Sequence, residues 1–152
     1  METTRIHKHI NSPRGRVYQA LVDSAAVAQW MAPDGMTVRV HAFDAREGGR
    51  LRVSLVHDAP DAEGKTSSRT DTYQGHFVKL VPDERVEEVI EFETLDPSLQ
   101  GEMRLVISLA DSAGGTDVFA VHAGLPPGLS PVDNESGWRM SLEKLAALVE
   151  RR

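Results

Sequence analysis

The spacing of apolar residues changes period twice along this chain. Thr3 to Ile10 reads as a short strand whose apolar members are Ile6 and Ile10. Ser12-Pro13 then has the chemistry of a helix start. The Ser hydroxyl can accept a hydrogen bond from a free first-turn N–H, and Pro at the first helical position has no N–H to leave unpaired. Val17, Ala20 and Leu21 follow on one helical face. Asp23-Ser24 breaks this helix and caps a second one, predicted over Ala25 to Met31 and closed by Pro33-Asp34-Gly35.

From Met36 the period falls to two. Met36, Val38, Val40 and Ala42 alternate with polar residues, and Leu51, Val53 and Leu55 do so again after a polar turn containing Gly48-Gly49. Asp58 to Ser68 has no periodicity and is predicted as a loop. Further strands are predicted over Thr70 to Val81, Arg85 to Thr94, Glu102 to Ala110 and Thr116 to Ala123, with Gly114-Gly115 as a hairpin turn. Helical spacing returns over Asp133 to Glu150, where Trp138, Leu142, Leu145 and Val149 share one stripe. That stripe needs an apolar partner, and the sheet is the only large one available. The order implies an α+β protein of about seven antiparallel strands, two short N-terminal helices and a long C-terminal helix across the concave face.

At 152 residues the chain fits a single domain with a real core and a modest cavity. The formal charge of −6 and the lack of a dense basic block argue against nucleic acid and anionic membrane as partners. The absence of cysteine excludes thiolate catalysis, disulfides and cysteine-based metal sites. No apolar run reaches the roughly 18 residues needed to span a bilayer. The default expectation is a cytoplasmic protein, monomeric or homodimeric.

Four groups of residues carry a family likeness. They are Ser12-Pro13 with Val17-Tyr18-Gln19-Ala20-Leu21; Trp30-Met31-Ala32-Pro33; Gly75-x-Phe77 with Pro82-Asp83-Glu84-Arg85-Val86; and Thr116-x-Val118, His122-x-Gly124-Leu125-Pro126 and Gly137-Trp138-x-x-Ser141-Leu142. In this order they resemble the SRPBCC (START/Bet v 1-like) superfamily, and within it the AHSA1-like branch related to the activator of Hsp90 ATPase. The resemblance spans about Thr3 to Val149 and implies a helix-grip fold. It implies no single function, because this fold hosts ligand carriers, cyclases and co-chaperones. The sequence departs from the family pattern at the polar 58–68 segment and at Glu88.

Glu88 shares a predicted strand face with Val86, Ile90 and Phe92, while Glu87, Glu91 and Glu93 take the opposite, solvated face. In that register Glu88 points into the concavity, where an unpaired carboxylate would be costly. A one-residue slip would put Val89 inside and leave Glu88 exposed. His122, at the end of the last strand, is either a polar anchor or acid–base for a ligand, or a strand-end cap bonded to backbone in the 124–128 turn. His7-x-His9 would supply at most half of a metal site and reads as two exposed histidines. Ser141 reads as a small residue permitting close helix–sheet contact.

The expected function is binding of a small hydrophobic or amphipathic molecule between sheet and C-terminal helix. Contacts would come from Trp30, Met31, Phe77, Phe92, Met103, Trp138 and Leu142, with Glu88 and His122 as polar anchors. Plain core packing is the competing reading for the bulky residues. The functional alternatives are a cyclase or dehydratase acting on a polyketide-like substrate, with Glu88 or His122 as acid–base, and a chaperone interaction module. No cofactor and no metal are expected.

Overall fold

Every strand in this protein pairs antiparallel with its neighbours in one seven-stranded sheet of order β1-β7-β6-β5-β4-β3-β2. The computed structural model describes residues 2–151. The elements are β1 (Glu2–Ile10), α1 (Arg14–Val22), α2 (Ser24–Trp30), β2 (Met36–Phe43), β3 (Arg50–His57), β4 (Thr70–Val81), β5 (Arg85–Phe92), a 3-10 turn (Pro97–Leu99), β6 (Met103–Ser112), β7 (Gly115–Leu125) and α3 (Pro131–Val149). The predicted class and element order hold. Among the described residues no helix is long and apolar enough to cross a membrane.

Two helix starts differ from the sequence reading. The Ser12 hydroxyl does not cap α1; it is buried with no hydrogen-bond partner among the described residues, and Pro13 stands at the cap position with no side-chain bond. Ser12 is bound across the chain through its backbone instead, its carbonyl accepting from the Thr116 hydroxyl at 2.7 Å. α3 begins at Pro131 rather than Asp133, because the Ser130 hydroxyl accepts from Asp133 N and Pro131 occupies the first turn without a missing bond. The cap on α2 is as expected: the Asp23 carboxylate accepts from Ala25 N at 3.1 Å.

The α3 stripe Trp138, Leu142, Leu145 and Val149 is buried, and the helix packs on β1, α1 and α2. Ser141 serves a different contact from the one expected. Its hydroxyl donates to the Met31 carbonyl at 2.6 Å, tying α3 to the end of α2. Lys144 does the same to the Ala32 carbonyl at 2.8 Å. Both bonds tie α3 to the segment that immediately follows α2.

The register of β5 settles which way Glu88 faces. Glu88 pairs with Phe77 on β4 and Leu105 on β6, and it is buried together with Val86 and Ile90 on the concave face. Glu87, read as solvated, is also buried, on the convex face. Arg85 and Arg104 both pair with its carboxylate there, and their apolar stems shield it.

Candidate functional site

Between the sheet and the N-terminal half of α3 lies a cavity of about 270 Å³. A cavity of about 150 Å³ accepts benzene, so this one has room for roughly a dozen non-hydrogen atoms. Alternation along the strands makes its wall apolar: Leu55 of β3, Tyr73 of β4, Ile90 and Phe92 of β5, and Met103 and Leu105 of β6 all project inward. Exposed Ser130 and Asp133 stand on its rim beside Met31, Pro33 and Trp138.

The sequence-predicted site residues divide into three groups. Met31, Phe92, Met103, His122 and Trp138 line the 270 Å³ cavity. Trp30 and Glu88 do not; with Met31 they line a separate void of about 10 Å³, room for about one water, under α1 and α2. Phe77 and Leu142 line neither and are fully buried core residues, Phe77 meeting Phe43 edge to face. The Trp30 indole N–H donates to the Ala20 carbonyl at 2.8 Å, which locks α2 to α1.

His122 is held in one neutral tautomer. The Trp138 indole N–H can only donate, and it does so to His122 Nδ1 at 3.1 Å, so the proton of the neutral ring sits on Nε2. Nε2 in turn faces the Met103 sulfur at 3.2 Å. Burial pushes the His122 pKa down to about 4, with the neighbouring Asn134 side chain acting weakly against it. The backbone-capping alternative is not what occurs: the ring bonds to side chains of α3 and β6. Near neutral pH it presents an uncharged ring at the cavity wall.

Polar residues missed in the sequence stand at the opposite side. Asp71, at the start of β4, is almost fully buried; its carboxylate accepts from Lys65 N at 2.6 Å and Lys65 Nζ at 2.9 Å. Both residues line the cavity. The polar 58–68 segment is thereby pinned to the rim, and the Thr66 hydroxyl adds a bond from Thr72 N at 2.8 Å. The only available signal was that the loop sat next to a strand opening with an inward-facing Asp. Tyr73 was also missed, because one Tyr in an alternating strand does not reveal which neighbour leaves space beside it.

Glu88 has its pKa pushed up to about 7 by burial. It shares its void with Leu21, Val27, Phe43, Leu51 and other apolar side chains, and with Tyr73. Tyr73 has its own hydroxyl pKa raised, by burial first and by the neighbouring Glu88 second. His7 and His9 lie on the outer face, where His9 Nδ1 and His7 Nε2 approach Asp117 at 3.0 and 3.4 Å. Among the described residues no group of three His, Asp or Glu is arranged to hold a metal ion.

A curved sheet, a long helix closed across it and a cavity beneath define a helix-grip protein with a pocket for a small molecule's worth of volume. Residues 11–150 match the family described as Activator of Hsp90 ATPase homolog 1-like protein, and the chain belongs to that family, within the SRPBCC superfamily. A crystal structure of a Chromobacterium violaceum protein is similar over 100% of both chains, with 33% identity and a TM-score of 0.88. The AHSA1 protein of Silicibacter pomeroyi shares the fold at 20% identity and a TM-score of 0.76, covering 97% of this chain and 96% of its own. An Arthrobacter aurescens protein does so at 13% identity and 0.80, covering 97% and 85%. No curated protein matches the chain.

Proposed function

We propose that this protein binds a small apolar or amphipathic molecule in the 270 Å³ cavity. The observation that supports this reading is the cavity itself, lined on the sheet side by alternating apolar residues and on the α3 side by Trp138 and Gly137. Cores pack to crystal-like density and leave few voids larger than a water, so a space of this size is a departure that a ligand would fill. Neutral His122 and the Lys65–Asp71 pair give it polar points at opposite sides. A cyclase-like pairing of Glu88 with His122 is less favoured, because the two line different spaces. Chaperone docking would engage outer faces and is independent of the cavity.

The test is a titration with 2-ethylnaphthalene, read by amide chemical shifts. Binding should move resonances of Tyr73, Met103 and Trp138 together, while the outer-face residues Arg5 and His76 stay still. Native mass spectrometry of protein purified without added ligand gives a second readout. No saturable shift and no retained mass would overturn the proposal.

A further inference from the structure

Two spaces occur in the concavity, and the strands run from one into the other. On β5, Phe92 and Ile90 line the large cavity and Glu88, the next inward position, lines the small void. Inward positions along a strand are about 7 Å apart. On β6, Met103 and Leu105 line the cavity and Ile107 the void; on β3, Leu55 lines the cavity and Val53 and Leu51 the void. Three strands thus carry the same surface one layer deeper. Tyr73 and Met31 line both spaces and form the partition between them.

The partition is uneven in stiffness. Tyr73 is a buried ring between paired strands. Met31 is half-buried at the end of α2; its backbone carbonyl is held by Ser141, but the thioether has three rotatable bonds and adapts to its surroundings. Behind it sits a carboxyl group whose proton affinity is set by burial, with no compensating hydrogen bond or opposite charge among the described residues. Of the residues facing Glu88 from α1, α2, β2, β3, β4 and β6, Tyr73 alone is ionisable and none is cationic.

We propose that the void around Glu88 is the deep end of the ligand site, and that the site takes an elongated apolar molecule carrying a basic nitrogen, whose ammonium meets the Glu88 carboxylate once the Met31 side chain swings aside. The proposal rests on the cavity being a ligand site. The chemistry follows from what the carboxylate lacks. Ionised, it needs hydrogen-bond donors and an opposite charge in a medium too apolar to screen it. An ammonium supplies both in one charge-assisted bond, while the hydrocarbon body remains against Ile90, Leu105 and Met103.

The probes are 2-(aminomethyl)naphthalene and 2-ethylnaphthalene, matched in size and differing in the nitrogen. Binding of both is measured at pH 8 and pH 5 to the wild type, to Glu88→Gln and to Met31→Ala. At pH 8 the amine should bind the wild type at least tenfold more tightly than the hydrocarbon, and most of that preference should vanish at pH 5. Glu88→Gln should abolish the preference for the amine over the hydrocarbon. Met31→Ala should enlarge the preference by opening the passage. Glu88→Leu serves as a second variant if the glutamine protein does not fold. Equal affinity for both probes in the wild type, or a preference that survives in the Glu88 variants, overturns this proposal and leaves the cavity reading standing. Failure of both probes to bind the wild type overturns this proposal, and the cavity reading falls with it when native mass spectrometry also finds no retained mass.

Discussion

Replacing Glu88 by glutamine keeps the volume and removes the proton equilibrium, so it isolates the cost of burying this carboxyl group. Burial raises its pKa from the usual 4.5 to about 7. At about 1.4 kcal/mol per factor of ten in proton affinity, this displacement corresponds to about 3 kcal/mol. Between about pH 4.5 and pH 7 the folded protein keeps a proton on Glu88 that the unfolded chain has released. The folded state therefore binds more protons, and Glu88's contribution to stability is full below pH 4.5 and lost as pH rises through 7. His122 acts in the opposite direction. Its pKa falls from 6.5 to about 4 on burial, so its contribution is full above pH 6.5 and lost as pH falls through 4. The two slopes overlap and largely cancel in the wild type. Urea unfolding of both proteins from pH 4 to pH 8 reads the difference, in which His122 and the surface carboxylates drop out. Relative to the wild type, Glu88→Gln should gain about 3 kcal/mol between pH 4 and pH 8. On its own it should also lose stability on acidification below pH 6.5, with His122 uncompensated. A difference constant to within about 1 kcal/mol across that range would refute the argument that burial governs Glu88.

Two further outcomes follow from packing. Gly75→Ala would drive a Cβ into the Val89 carbonyl oxygen on the neighbouring strand. The β4–β5 ladder would have to separate there, and the midpoint of urea unfolding should drop sharply or the protein should fail to fold. Leu142→Ala removes a side chain with no exposed surface from the α3 stripe. It should cost about 2–5 kcal/mol by chemical denaturation, without abolishing hydrocarbon binding, because Leu142 does not line the cavity.

Period, turn chemistry and capping residues were enough to read the element order, since each acts within a few positions of chain. The Trp138–Val149 stripe and the alternation of Met103, Leu105, Ile107 and Leu109 name the buried faces directly. The same local logic misassigned Ser12, whose backbone is engaged by the distant Thr116 while its buried hydroxyl caps nothing, and Ser141, whose partner is the Met31 carbonyl just after α2, distant in the sequence. It also placed Glu87 in water, because the arginines that cover it come in part from another strand.

Local patterning alone specifies the helix-grip architecture and the inventory of side chains facing inward. Which of those leave a space between them was decided only by tertiary structure. Phe77 and Met103 look alike in an alternating strand, yet one is sealed against Phe43 and the other borders 270 Å³ of cavity. The orientation of Glu88 followed from β5 pairing with both neighbours, and its separation from His122 from where Tyr73 and Met31 stand. The physical reason is that a side chain's direction is a property of its own strand, whereas an empty volume is a property of all the surfaces that fail to meet around it.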